Sequence, residues 1–232
     1  MSTAPDRRAD RSANRALKAA RRQELDGSGP VREERGPATN PGAHGVFALF
    51  GEVLLVGLLI AVVSLPVVTL PAALAAGVSH LRRFVAAEDT KLSLFWADVW
   101  RALPGGAAVG GGTLVLTLLL LLDIDLARSG SLPGGAAVGL VGWAGLAVLA
   151  VALLAAAGAW TPDRGWAGSI RAVPALVRSD LAGALYLLAT AGFVVVLTWV
   201  LPPLLVPALG CAALAVVAIP ARPRRTPAIR IV

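Results

Sequence analysis

The sequence predicts an all-α, polytopic transmembrane bundle of six membrane helices and two interfacial amphipathic helices. Three observations carry this. Only 15% of the 232 residues are charged and 56% are apolar, against roughly 25% charged in an average soluble domain. Uncharged runs recur at 53–79, 102–122, 129–162 and 181–221, and a crossing needs roughly 20 apolar residues. Finally, six crossings from a cytoplasmic N-terminus put residues 1–45, 80–103, 158–180 and 220–232 on the inside. Those segments hold nine, four, three and four Lys or Arg of the chain's 21, leaving only Arg128 outside. Cations are retained on the cytoplasmic side.

Residues 1–45 mix nine basic and six acidic residues with few large aliphatics. Such a segment buries too little to offset its ordering entropy, so a disordered basic cytoplasmic tail is expected. Contact of this tail with anionic lipid or RNA is the competing reading, and solvation is preferred because charge runs usually face solvent. It precedes any apolar run, so no secretory leader with its apolar region near the terminus is expected.

The first membrane helix is expected over 46–65. Glu52 lies near its start and is the candidate intramembrane polar residue, since a carboxylate at membrane depth is costly and marks a site by default. An interfacial position one or two turns from water is the alternative. Ser64-Leu65-Pro66-Val67-Val68-Thr69-Leu70-Pro71 then breaks the run. Pro66 lacks an N–H and displaces the residue before it from helical geometry. Pro71 is well placed to open the next helix. Pro66, Thr69 and Pro71 are therefore the candidate functional hinge. The second helix, about 71–87, is short and meets His80, Arg82 and Arg83 at an expected cytoplasmic edge, with His80 interfacial.

Leu92, Phe95, Trp96, Val99, Trp100 and Leu103 share one helical face, with Lys91, Asp98 and Arg101 on others. This reads as a first interfacial helix, ended by Pro104-Gly105-Gly106. Trp166, Ile170, Val173 and Val177 form a second such stripe. Trp96, Trp100, Arg101, Trp166 and Arg171 are the expected interfacial anchors. Trp100-Arg101-Ala102-Leu103-Pro104 is echoed by Ile170-Arg171-Ala172-Val173-Pro174, which suggests a parallel internal repeat. Membrane helices are expected over 106–122, 133–159, 181–201 and 203–219, the last two separated by Pro202-Pro203. The transmembrane domain thus covers 46–219, and 220–232 is a second basic tail.

Gly106 with Gly110, and Gly135, Gly139 and Gly142, place small residues on shared faces. Close helix packing is preferred over a substrate path. Thr113, Thr117, Thr190 and Thr198 are expected to bond carbonyls one turn back.

The motif Ser64-Leu65-Pro66-Val67-Val68-Thr69, a small-residue helix and then Leu94-Phe95-Trp96-Ala97-Asp98-Val99-Trp100 resemble the YesL-like family of bacterial multi-pass membrane proteins. Leu70 stands where that family usually has glycine, and Gly57 and Ile60 stand where it often has Asn and Trp. The resemblance implies a bacterial plasma-membrane protein without an assigned activity, linked to carbohydrate uptake, and no catalytic residues carry over.

The chain has two histidines and one cysteine, Cys211, and lacks the motifs of common hydrolases, zinc sites and phosphate loops. No catalytic, cofactor or metal residues are expected, and the chain is not expected to be an enzyme. The expected reading is a non-enzymatic accessory or scaffold subunit, with a small solute transporter working through the hinge as the alternative. Its partners would be the lipid bilayer and a carbohydrate transporter's membrane subunit. No nucleic acid is expected, and homo-oligomerisation stays open.

Overall fold

The computed structural model describes residue 18, residues 45–129 and residues 134–222. The chain divides into two compact units, Met1–Thr39 and Asn40–Val232. Within the first, only Lys18 is described, and it is helical. The expected tails therefore lie outside the described residues, apart from Lys18, Gly45 and residues 220–222. The second unit is helical, and no strand occurs among the described residues.

Helix α1 (Val46–Val63) is apolar apart from Glu52 and ends at the hinge. Helix α2 (Leu70–Val85) begins with Pro71 in its first turn, where the missing N–H costs nothing. It ends in a Schellman arrangement: Glu88 N–H bonds the Arg83 carbonyl and Ala87 N–H bonds that of Phe84. Ala87 takes the positive φ of +57° that glycine usually supplies there. In the turn that follows, Asp89 and Lys91 pair at 2.6 Å. Their hydrogen bond lowers the Asp89 pKa and raises that of Lys91, but both are exposed, so the pair adds little stability.

Helix α3 (Leu92–Arg128) is 37 residues long and runs straight through Pro104. The expected break at 104–106 is absent, and so is the expected loop from Asp123, which is still helical. The first amphipathic stretch is thus the opening of α3, not a separate helix. Pro104 points outward, so its missing N–H costs a single bond. Ala102 and Gly106 on either side of it are buried, and that packing holds the helix together. At 1.5 Å per residue, α3 spans roughly 55 Å, well beyond a hydrocarbon core of about 30 Å.

Helices α4 (Gly135–Ala159), α5 (Gly165–Ser179), α6 (Leu181–Val200) and α7 (Leu205–Ala221) follow. Gly165, at φ +63°, turns the chain into α5, which is the second expected amphipathic helix and carries Pro174 within it. Asp180 caps α6 by accepting from Gly183 N–H at 2.9 Å. A short 3₁₀ turn, Pro202–Leu204, reverses the chain between α6 and α7, as the proline pair predicts.

Among the described residues, five helical segments are long and apolar enough to cross a membrane: α1, α3, α4, α6 and Pro202–Ala221. The 16-residue α2 is shorter, and it is the centre of the bundle. Pro71, Ala72, Ala73, Leu74, Ala75, Ala76 and Val78 are all essentially inaccessible, and α1, α3, α4 and α7 pack around it. The outside is apolar as well: Leu119, Leu122, Trp143, Leu185 and Phe193 are exposed, and Trp199 is 89% exposed. An exterior of this kind suits lipid rather than water.

Glycines set how closely the helices approach. The Cβ position of Gly57 lies 2.2 Å from the Val206 carbonyl oxygen, and that of Gly210 lies 2.1 Å from the Val53 carbonyl. The two contacts are reciprocal, so α1 and α7 touch backbone to backbone. Gly106 and Gly110 seat α3 on Ala72 and on the Val68 carbonyl, while Gly135 and Gly142 seat α4 on Ala127 and Ile124 of α3. The expected packing role of these glycines holds. Thr113, Thr190 and Thr198 also bond the carbonyls of Val109, Tyr186 and Val194, one turn back.

Candidate functional site

The hinge and a row of polar pairs beside α2 are the chemically distinctive parts of the bundle. Ser64 N–H extends α1 by bonding the Ile60 carbonyl, and Val67 N–H then bonds the Ser64 carbonyl at 2.8 Å. The Thr69 hydroxyl reaches back to the Val63 carbonyl. It thereby satisfies an acceptor that Pro66 cannot. Between the prolines, Val67 adopts φ +56°. A β-branched residue there costs of order 1–3 kcal/mol, so the turn is held by its surroundings. Those surroundings include α3, whose Gly110 leaves room for the Val68 carbonyl. Pro66 is exposed, whereas Pro71 is buried. Pro66 lies in the connection between α1 and α2, Thr69 caps α2, and Pro71 sits in its first turn.

Glu52 points inward from the second turn of α1. Its Oε1 lies 2.5 Å from His80 Nε2 on α2. His80 is 1% exposed and Glu52 side chain 18%. His80 thus faces the protein interior and not its surroundings: α1 and α3 cover it, with Phe95 edge-on at 6.2 Å between ring centres. Glu52 is therefore not isolated. It is the half-buried partner of a buried histidine, and such pairing is how a carboxylate is kept in an apolar bundle. His80 Nδ1 has no hydrogen-bond partner among the described residues.

One turn on, Arg83 donates to Asp98 at 2.8 Å, and Asp98 is buried. This changes the reading of the first amphipathic stripe. Its buried face is Phe95, Asp98, Val99 and Ala102, and Leu92, Trp96 and Trp100 look outward. Asp98 lies on the inner face because Arg83 meets it there. Arg82 turns the other way and donates to the Gly158 carbonyl at the end of α4, where a cation complements the helix dipole.

The expected anchors divide. Trp96, Trp100 (68% exposed), Arg101 and Arg171 face outward, as an interfacial role requires. Trp166 does not, being only 7% exposed. Its indole N–H donates to the Ala102 carbonyl at 2.8 Å, and its ring lies against Gly105. It ties α5 to α3, so it is a packing residue and not an anchor. Trp96 and Trp166, equivalent in the short sequence repeat, therefore occupy different surroundings.

Asp180 and Arg222 were not singled out by sequence. Arg222 bonds the Asp180 carboxylate and lies over the Tyr186 ring at 5.3 Å, tying the end of α7 to the start of α6. The signal was weak: an aspartate before an apolar run is a capping residue, but the capping pattern does not point to an arginine 42 residues later. Among the described residues, no group of three or more His, Cys, Asp or Glu could hold a metal ion. The chain matches no protein-family model, no curated protein and no solved structure.

Proposed function

We propose that this chain is a non-enzymatic, multi-pass scaffold or accessory subunit of a bacterial plasma membrane. The observation that carries this is the backbone-close packing of α1, α3 and α7 around a filled central helix. Gly57 and Gly210 seat α1 and α7 backbone to backbone, Gly106 seats α3 on Ala72 of α2, and Gly110 seats it on the Val68 carbonyl of the turn, which favours a fixed body over a moving one. Accessory service to a carbohydrate transporter rests on the resemblance at Ser64–Thr69. Purification of the full chain in mild detergent is expected to bring a transporter's membrane subunit with it. Repeated recovery of the chain alone would remove the reading.

The reading includes six crossings, with α2 as the sixth and both termini cytoplasmic. The ends of α2, α4 and α7 and the starts of α3 and α6 meet through Arg83–Asp98, Arg82–Gly158 and Arg222–Asp180. One end of the bundle thus gathers the cations that the sequence assigns to the inside. With Cys211 replaced by alanine, Arg128→Cys is expected to react with a membrane-impermeant thiol reagent in intact cells, and Arg164→Cys only after lysis. The reverse pattern would invert the topology.

A small solute transporter is the second reading. It is favoured by the left-handed backbone of Val67 at the hinge and by the Glu52–His80 pair between α1 and α2. Uptake into proteoliposomes across a sugar panel would support it, and flat traces for every solute would end it.

A further inference from the structure

The same end of the bundle holds a cavity of about 270 Å³. It opens between α2, α4, α5, α6 and α7. Most of its wall is apolar, with Ala155, Ala184, Leu187 and Val216 among the contributors, and Arg82 and Arg164 stand at its polar side. Arg82 is half-buried and its partner is a carbonyl, that of Gly158. Arg164 is exposed and likewise leans on a carbonyl, that of Ala159, at 3.4 Å. Neither arginine has a carboxylate within ion-pair distance among the described residues. Asp180 also lines the cavity, but Arg222 neutralises it.

The cavity is therefore net cationic at one side and greasy at the other. A half-buried guanidinium without an anion carries a desolvation cost that an anionic ligand would relieve. Guanidinium groups match phosphate geometry through paired N–H donors. The volume falls just below the roughly 300–1,000 Å³ of ordinary small-ligand pockets, so it has room for a headgroup and the start of a chain. Basic pockets between membrane helices on the cytoplasmic side are known to suit anionic headgroups.

We propose that this cavity binds the headgroup of an anionic phospholipid, its phosphate on Arg82 and Arg164 and its apolar stem along Leu187 and Val216. The site does not depend on the scaffold reading, and a transporter with this fold would carry it equally.

The test uses the purified full-length chain in detergent, titrated with phosphatidylglycerol, phosphatidylcholine or glycerol 3-phosphate. Thermal stability and native mass spectrometry are the readouts. Phosphatidylglycerol is expected to bind and raise Tm, with phosphatidylcholine at least tenfold weaker. Arg164→Gln changes an exposed side chain and so leaves folding intact, and it is expected to weaken phosphatidylglycerol at least tenfold. Ala184→Phe keeps both arginines but fills the cavity, and is expected to do the same. If both variants bind as tightly as the parent chain, the lipid is adsorbing elsewhere and the site is wrong. If glycerol 3-phosphate alone gives the full Tm shift, the ligand is a soluble phosphate and the lipid assignment falls.

Discussion

Replacing either His80 or Glu52 alone by leucine is expected to destabilise the bundle by about 1–3 kcal/mol, and replacing both to recover most of that loss. The two side chains meet at 2.5 Å, with 1% of His80 and 18% of Glu52 exposed. Removing one leaves the other in an apolar bundle without its partner. A buried polar group stranded in this way costs more than the intact hydrogen bond contributes. Two leucines, by contrast, fill a similar volume between α1 and α2 and strand nothing. Phe95, edge-on to His80 in the parent protein, would then pack on the leucine. The check is a double-mutant cycle by thermal or denaturant unfolding in detergent. Losses that simply add, with the double variant worse than either single, would show that the pair is not coupled.

Gly57→Ala and Gly210→Ala are expected to lower stability by about 2–3 kcal/mol each, in the range for overpacking. A Cβ on Gly57 would sit 2.2 Å from the Val206 carbonyl oxygen, and one on Gly210 would sit 2.1 Å from that of Val53. Both obstacles are backbone, so no rotamer change relieves them. The helices must part, and the packing along the whole α1–α7 seam loosens with them. The double variant is expected to lose less than the sum, because one separation relieves both clashes. Gly112→Ala on α3 is the control. It has open space around it, and alanine favours helix over glycine by about 1 kcal/mol. It should match or slightly exceed the parent chain. For a protein of this length, each kcal/mol shifts Tm by roughly 2–4 °C, so a thermal scan separates the two classes. A Gly57→Ala variant as stable as Gly112→Ala would mean that the α1–α7 contact is not tight.

Much of the bundle could be read directly, and the reasons are local. Long uncharged runs give apolar helices, and prolines at 66, 71, 202 and 203 interrupt them. Glycines spaced along one face of α3 and α4 announce close packing, and threonines in apolar helices bond the turn before. Where expectation failed, a local signal was outvoted by distant contacts. Pro104 is a helix breaker by its chemistry, yet α3 continues through it because Ala102 and Gly106 are buried on both sides. Trp166 has the composition of an interfacial anchor, yet Ala102 and Gly105 draw it inward. Asp98 falls off the aromatic stripe, yet Arg83 pulls it to the buried face. The reciprocal contact of Gly57 and Gly210 joins residues 153 positions apart, with nothing in either neighbourhood to link them.

By itself, then, the sequence determined that the chain forms helices apolar enough to cross a membrane, that it turns at Pro66–Pro71 and Pro202–Pro203, and which of its helices carry small faces. Those properties follow from hydropathy, proline and residue size, which act over a few turns. Only the tertiary structure decided that the short α2 is the hub, that Glu52 belongs to His80, and that Arg82 and Arg164 share a cavity. Side-chain pairing between helices depends on their rotation and depth against one another. Those are set by the whole bundle packing at once, not by any stretch of sequence.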